Sequence, residues 1–353
     1  MKLRIFTFVL ALALLFSLSA CATPADNGQA GGKEDATVIT NAMDLTAEWN
    51  KVAAENSLVQ GCIVVRNDFL AQNPEAIEEF LDAYESSINY LSTNLDEAAQ
   101  LIVDNGIFTS APVAKKAIPK CNVKFVDGDE LKSSMNTYLS VLHGINAASI
   151  GGALPKDDFY YTRRDFDSTE REAADIRVYT LNGTTGFGMA KLMSDAKDGK
   201  TYDNYTFTVK TEASEVTAAL ISGDADIVAL PTNAASNVYN KTGGKVTVLA
   251  VNTLGCLYLL TNQNASVKSF DDLNGKTVYV PAQNPTFIFK YLCEQNGLVV
   301  GKDVILDSTS YAKPADLKDA VAAGVVDIAV LPEPMVTIAI NAAASSAQAQ
   351  AQK

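Results

Sequence analysis

Histidine and tryptophan are almost missing from this chain: among 353 residues there is one of each, His143 and Trp49. A lone histidine, placed on an amphipathic helical stretch, leaves no Ser/His/Asp or Cys/His pairing to assemble, so nucleophilic and acid–base catalysis lack their usual parts. Cysteine is scarce and scattered, with Cys62, Cys121, Cys256 and Cys293 far apart in the body of the chain. No CxxC or His/Cys cluster exists, which argues against a metal site, and buried free thiols are expected. Neither a metal nor a cofactor is called for. Basic residues are outnumbered, 28 against 41 acidic, and the net charge of −13 has the wrong sign for nucleic acid or anionic lipid as the main partner.

Long apolar runs are also missing. Lys2 and Arg4 precede an apolar stretch from Ile5 to Phe16, and small residues then lead to Leu18-Ser19-Ala20-Cys21. The stretch is short of the roughly 20 residues that span a bilayer and reads as a signal peptide over residues 1–21. Leu-Ser-Ala-Cys is similar to the lipobox of bacterial lipoproteins, which would make Cys21 the acylated first residue of the mature chain. An ordinary signal with an incidental cysteine is the alternative. Residues 22–33, rich in Gly, Asn, Asp and Pro, read as a flexible tether.

What the chain does have is one unit written twice. Gly223-Asp224-Ala225-Asp226-Ile227-Val228-Ala229-Leu230-Pro231 returns as Gly324-Val325-Val326-Asp327-Ile328-Ala329-Val330-Leu331-Pro332. Each copy follows a helix-patterned segment and an earlier strand signal, Ile176–Leu181 in one and Thr277–Val280 in the other. A repeat spaced by about 100 residues is too long for a solenoid and fits two similar α/β lobes with short, doubly buried strands. Ligands of such sheets sit beyond the carboxyl ends of the strands. Here those ends are turns rich in Gly, Pro, Asn and Thr, several of which open a helix whose free N–H groups favour a polar or anionic ligand.

Upstream, Ala36–Thr40 is a strand candidate and Thr46 a candidate cap for the short helix after it. Cys62–Val65 reads as a strand, and Asn73-Pro74 opens a long helix with Ile77, Phe80, Leu81, Tyr84, Ile88 and Leu91 on one face. Helices are also expected over Asp96–Val103, Lys115–Ile118 and Asp129–Ala147. Residues 162–174 read as a solvated linker. After Pro334 a last helix is expected to end near Asn341, leaving 342–353 as a low-complexity tail.

From Ile176 onward the chain resembles the substrate-binding proteins of bacterial ABC importers, in the nitrate/sulfonate/taurine and thiamine-precursor-like group. The resemblance rests on the paired G-x-x-D-I-x-x-L-P segments, on Ser269-Phe270-Asp271-Asp272-Leu273-Asn274-Gly275-Lys276 before a strand, and on Leu331-Pro332-Glu333-Pro334. It implies the two-lobed, type II periplasmic-binding-protein-like α/β fold. Segment order departs from the family: a stretch like Thr37–Tyr161 normally follows the Pro332 region and here precedes it, as in a circular permutation. Lobe one would then combine 62–161 with 175–254, and lobe two 34–61 with 255–341, crossing at Gly61-Cys62 and Gly255-Cys256. On that reading the crossings lie together, and a Cys62–Cys256 disulfide is the alternative to free thiols.

The resemblance implies an extracytoplasmic, lipid-anchored monomer that captures a small ligand between its lobes and presents it to a permease and its ATPase. Candidate ligand contacts are Asn182, Gly183, Thr184 and Thr185, then Thr232 and Asn233, in lobe one. In lobe two they are Gln283, Asn284, Thr286, Glu333, Asp44 and Trp49. Each has a plainer reading as a turn, cap or core residue. The loops contribute no Arg or Lys, so an anion would rest on N–H groups and hydroxyls, whereas Glu333 and Asp44 suit an amine, an aminopyrimidine or an amino-sulfonate. The rivals are an enzyme on the same fold, a pyrimidine synthase or chorismate-processing lyase, and a purely structural surface lipoprotein.

Overall fold

Eleven strands, alternating with helices, are built by the described residues of a computed structural model, 37–166 and 171–351. They are β1 (Ile39–Asp44), β2 (Gly61–Arg66), β3 (Val123–Val126), β4 (Asp175–Leu181), β5 (Asn204–Lys210), β6 (Ile227–Pro231), β7 (Val246–Thr253), β8 (Leu257–Asn262), β9 (Thr277–Tyr279), β10 (Ile305–Asp307) and β11 (Ile328–Pro332). The expected signal peptide, Cys21 and the tether lie outside the described residues. None of the described helices is long and apolar enough to cross a membrane.

The strands form two sheets of matching design. One runs β5-β4-β6-β2-β7-β3, the other β10-β9-β11-β8-β1. In each, three strands are parallel and the next is antiparallel to both its neighbours: β2 between β6 and β7, β8 between β11 and β1. The expected α/β, two-sheet architecture is therefore the one found. The antiparallel strands are the places where the chain passes from one sheet to the other. Gln60 N–H donates to Thr253 O at 2.9 Å, and Cys256 N–H donates to the Gln60 side-chain oxygen at 2.7 Å. The two passages are thus bonded to each other.

Strand alternation divides the core. Cys62 and Val64 of β2 and Leu257 and Leu259 of β8 enter one cluster that continues from sheet to sheet through Leu58, Trp49 and Tyr138. Ile63 and Val65 turn the other way, under the helix Pro74–Thr93, whose Ile77, Phe80, Leu81, Tyr84, Ile88 and Leu91 are all buried as their spacing predicts. Tyr258 and Leu260 pack outward with Leu331 and Val336. The two sheets share an apolar seam and are not separate cores.

Several expectations shift. The first strand is displaced to Ile39–Asp44, because pairing with β8 runs on to Asp44↔Tyr258. Asp44, not Thr46, caps the next helix, its carboxylate accepting from Thr46 N at 2.8 Å and Ala47 N at 3.4 Å. The tail does not dissolve at Asn341: its alanines carry the helix Met335–Ala351 onward. The described part of the linker is pinned at each end. Arg163 pairs with Glu78 (2.8 Å) and Asp82, and Arg171 with Asp203 (2.6 Å) and Glu79 (2.5 Å).

The duplicated aspartate does different work in its two copies. Asp226 is buried and accepts from Arg177 N (2.9 Å), Arg177 Nε (2.9 Å) and Arg177 Nη2 (2.6 Å), with Arg66 Nη2 at 3.6 Å. Asp327 is exposed and accepts from the amides of Asn262 (2.7 Å) and Asn264 (3.3 Å). Asp226→Asn would leave two guanidiniums without their buried counter-charge. It should cost about 2–4 kcal/mol in urea unfolding, reduced from the fully buried figure because Arg177 is partly exposed. Asp327→Asn should cost about 1 kcal/mol or less. Equal losses at the two sites would contradict this division.

Candidate functional site

Four strand ends supply the turns that meet between the sheets. After β4, Gly183 takes a left-handed φ of +78° and Thr184 opens the helix Thr184–Phe187. The turn is tight enough that a Cβ at Gly186 would stand 2.0 Å from Leu181 O, so only glycine fits. Thr184 is buried, and its hydroxyl donates to Glu333 O at 2.8 Å, with Cys121 Sγ at 3.8 Å. The turn after β4 therefore touches the turn after β11. Asn182 is exposed, while Thr185 O accepts from the buried Asn252 side chain at 3.0 Å.

The turn after β6 meets the turn that follows β9. Asn284 Nδ2 donates to Asn233 Oδ1 at 2.7 Å. A recess of about 380 Å³ opens beside this pair, lined by Asn146, Ser149, Thr217, Asn233, Asn237, Gln283 and Phe287 among others. That volume suits a small ligand. Gln283 holds a left-handed φ of +68°, which a non-glycine residue adopts only where its surroundings impose it. Thr286 is committed locally, its hydroxyl donating to Pro281 O at 2.7 Å.

Glu333 is the charged group of the site. Its carboxylate is buried and accepts from Thr337 N (3.1 Å) and Thr337 Oγ1 (2.9 Å), with Lys120 Nζ at 3.9 Å. Burial pushes its carboxyl above the usual range, against the two Thr337 bonds and the lysine, which pull it down. The loops themselves contribute no Arg or Lys, but Lys120 brings a cation to Glu333 from outside them. It arrives from the turn Ile118–Lys120, outside the repeat, where nothing in the sequence marks it, and its carbonyl accepts from Tyr258 OH at 2.8 Å.

Two of the candidate contacts have partners within the fold. Trp49 is fully buried in the seam, its indole N–H bonded to Ser57 Oγ at 2.8 Å and its ring 5.0 Å from Tyr291 and 5.9 Å from Tyr138. It is core, because its one polar atom is satisfied from within. Asp44 has its carboxylate engaged as the helix cap described above. The four described body cysteines are free and buried, Cys62 and Cys256 included. Burial pushes the Cys62 and Cys256 thiols up to about 12, which keeps them protonated. Among the described residues, no cluster of three or more His, Cys, Asp and Glu has the makings of a metal site.

Several buried polar atoms find no partner among the described residues: Thr46 Oγ1, Tyr138 OH, Thr180 Oγ1, Tyr205 OH, Thr232 Oγ1 and Asn284 Oδ1. Each such orphan costs about 1–3 kcal/mol unless something else bonds it. Thr232 and Asn284 were expected in the site. Thr46 and Tyr138 were not, because an isolated threonine and a tyrosine at helical spacing read as cap and core.

Residues 200–349 match the family model described as ABC transporter, phosphonate, periplasmic substrate-binding protein. No curated protein matches the chain. Solved structures similar to it include an ABC transporter from Parabacteroides distasonis (22% identity, TM-score 0.34, 49% of this chain and 56% of that one). The periplasmic aliphatic sulphonate binding protein SsuA from Escherichia coli is also similar (17%, TM-score 0.35, 48% and 57%). So is the alkanesulfonate-binding protein SsuA from Xanthomonas axonopodis pv. citri bound to MOPS (16%, TM-score 0.31, 47% and 57%). The matched part thus spans little more than half the length of each of those chains.

Because the Glu333 carboxyl is raised, the folded chain holds that proton more tightly than the unfolded chain does. Its contribution to stability is fully present below the ordinary value of 4.5 and is lost as pH rises from there through the raised one. Glu333→Gln should flatten this fall and be the more stable protein at neutral pH. Melting temperature against pH for the two chains tests it; parallel profiles above 4.5 would sink the assignment.

Proposed function

We infer that this chain, whose residues 200–349 match the model of ABC-transporter periplasmic substrate-binding proteins, captures a small polar solute between its two sheets outside the cell and hands it to a permease and its ATPase. The observation that carries the reading is the meeting of the four strand-end turns in two pairs, Thr184 with Glu333 and Asn233 with Asn284. Polar groups gathered at the carboxyl ends of two parallel sheets are the ordinary makings of a ligand site.

The ligand class is a small organic oxyanion, a phosphonate or sulfonate, with nitrate, taurine and an aminopyrimidine thiamine precursor as variants. A solute that also carries an amine suits the site best, since Glu333 offers a buried carboxylate. Capture works by hinge closure. The crossings at Gln60–Gly61 and Leu254–Cys256 bend, one sheet folds over a ligand docked on the other, and contacts made only in the closed arrangement favour it. The chain acts as a monomer held to the cell membrane by lipid on Cys21, and its segment order is a circular permutation of the family's. The family match lies wholly on one side of the inferred junction at residues 162–174, which is consistent with that order.

Calorimetry of the mature chain with methylphosphonate, an alkanesulfonate, taurine, nitrate and an aminopyrimidine should give one-to-one binding to one class, with the ligand recovered unchanged. Saturation at a hundred times Kd should add about 2.7 kcal/mol of stability, and small-angle scattering should show compaction. Turnover of the ligand would make the protein an enzyme, and no binding or closure with any of these would leave a structural lipoprotein. Palmitate labelling that survives Cys21→Ser would remove the lipid anchor from the reading.

A further inference from the structure

A second recess, of about 280 Å³, lies away from the turns between the sheets. Its walls are the helix Pro74–Thr93, through Glu79, Ser86 and Tyr90, and the helix Ala190–Lys197, through Lys191 and Asp195. The stretch Lys200–Tyr205 closes one side. Tyr205 is the second residue of β5, which runs parallel to β4 from Asn204↔Asp175 onward. The recess therefore borders the amino end of this sheet, whereas the turns gathered between the sheets follow carboxyl ends. Its two helices are fixed against each other: Ser87 Oγ donates to Gly188 O at 2.6 Å and accepts from Leu192 N–H at 3.0 Å. The groove between them is thus preformed.

The chemistry of the recess is mixed and balanced. The charged groups lining it are two acids, Glu79 and Asp195, and two bases, Lys191 and Lys200. All four are paired: Lys191 with Asp195, Lys200 with Asp195 (3.8 Å) and Asp198 (2.8 Å), and Glu79 with Arg171 (2.5 Å). Opposite charges held this close cancel each other's field a short way off, so a ligand gains little here from net charge. A ligand with both donors and acceptors gains more. The hydroxyls of Ser86 and Thr201 do either, the ammonium groups donate and the carboxylates accept. The rings of Tyr90 and Tyr202 border the same space. Each has a cation over one face, Lys191 Nζ at 5.3 Å from the Tyr90 centroid and Arg171 Cζ at 4.6 Å from that of Tyr202, and Tyr202 is largely exposed. The negative face of such a ring attracts slightly positive C–H groups. We propose that this recess is a second binding site, taking one pyranose ring of a neutral sugar. Such a ring has hydroxyls that donate and accept around its rim and C–H groups on its face. The volume admits a single ring and falls below the roughly 300–1,000 Å³ of sites for drug-sized ligands. This site does not depend on solute capture between the sheets.

Saturation-transfer NMR of the mature chain with methyl β-glucoside and with N-acetylglucosamine should show transfer to the ring C–H protons. Rising salt should leave the affinity unchanged, because no net charge is engaged. Ser86→Gln fills the groove from an exposed helix position, and Tyr202→Ala removes an exposed wall. Each should weaken sugar binding tenfold or more while melting close to the wild type. Cellobiose separates the sources of such a ring: binding as tight as that of the monosaccharides assigns the end of a glycan chain, and loss of binding assigns a free sugar. No transfer to either monosaccharide overturns the site, and so does transfer that both variants keep within twofold of the wild type. Glucuronate or a sugar phosphate bound more tightly than methyl β-glucoside would overturn the neutral assignment. Titration with methylphosphonate and an alkanesulfonate should give the same result for all three chains. A loss confined to the two groove variants would make their effect general and overturn the site, whereas failure of the wild type to bind these solutes bears on capture alone.

Discussion

The molecule depends on one constraint: the chain passes between its two sheets twice, at the same place, and each passage ends as the antiparallel strand inside a sheet that is otherwise parallel at its heart. β2 cannot be withdrawn without separating β6 from β7, nor β8 without separating β11 from β1. Both passages are also bonded to each other through Gln60, Thr253 and Cys256. Glycines stand there for steric reasons. A Cβ at Gly61 would meet Asn252 Oδ1 at 2.5 Å, and one at Gly255 would meet Thr46 and Leu58. Any rotation of one sheet against the other would turn about this short double strap. Anything placed beside the strap feels both sheets at once.

The two halves repeat a design without repeating its chemistry. Strand order matches over five positions, with β3 an extra edge strand in one sheet, yet the duplicated aspartate answers guanidiniums in one half and amides in the other. The turns diverge in the same way. Thr184 reaches a backbone carbonyl across the gap, whereas Asn233 and Asn284 pair side chain to side chain. Backbone geometry follows from hydrophobic alternation and from where helices start, so it tolerates these substitutions. Recognition does not, because it needs particular donors at particular places. Duplication supplied the frame, and the differences between the copies supply a site with unlike walls.

That distinction explains what could be read from the sequence. Strands β6 and β11 and the turns after them were visible because G-x-x-D-I-x-x-L-P couples a helix end, a buried apolar run and a strand stop in nine residues. Helix Pro74–Thr93 was visible because six apolar residues hold one face. Lys120 was not, since it reaches Glu333 from a segment remote in sequence and carries no local signature. Trp49 and Asp44 were candidates for the complementary reason. Both follow a strand that ends between the sheets, but one finds its partner in Ser57 and the other in the helix it caps. The shared apolar seam was hidden as well, because periodicity says that a face is buried and not what buries it.

The polar groups between the two sheets act in opposite directions on how firmly the sheets hold together. The bonds across the gap, Thr184 to Glu333 O and Asn284 to Asn233, contribute about 1 kcal/mol each, and the apolar seam adds to them. Against them stand Thr46, Tyr138, Thr232 and Asn284, each with a buried polar atom that protein alone leaves unbonded, at about 1–3 kcal/mol apiece. Together those costs, about 4–12 kcal/mol, exceed what the two bonds return, and the balance falls to the apolar seam.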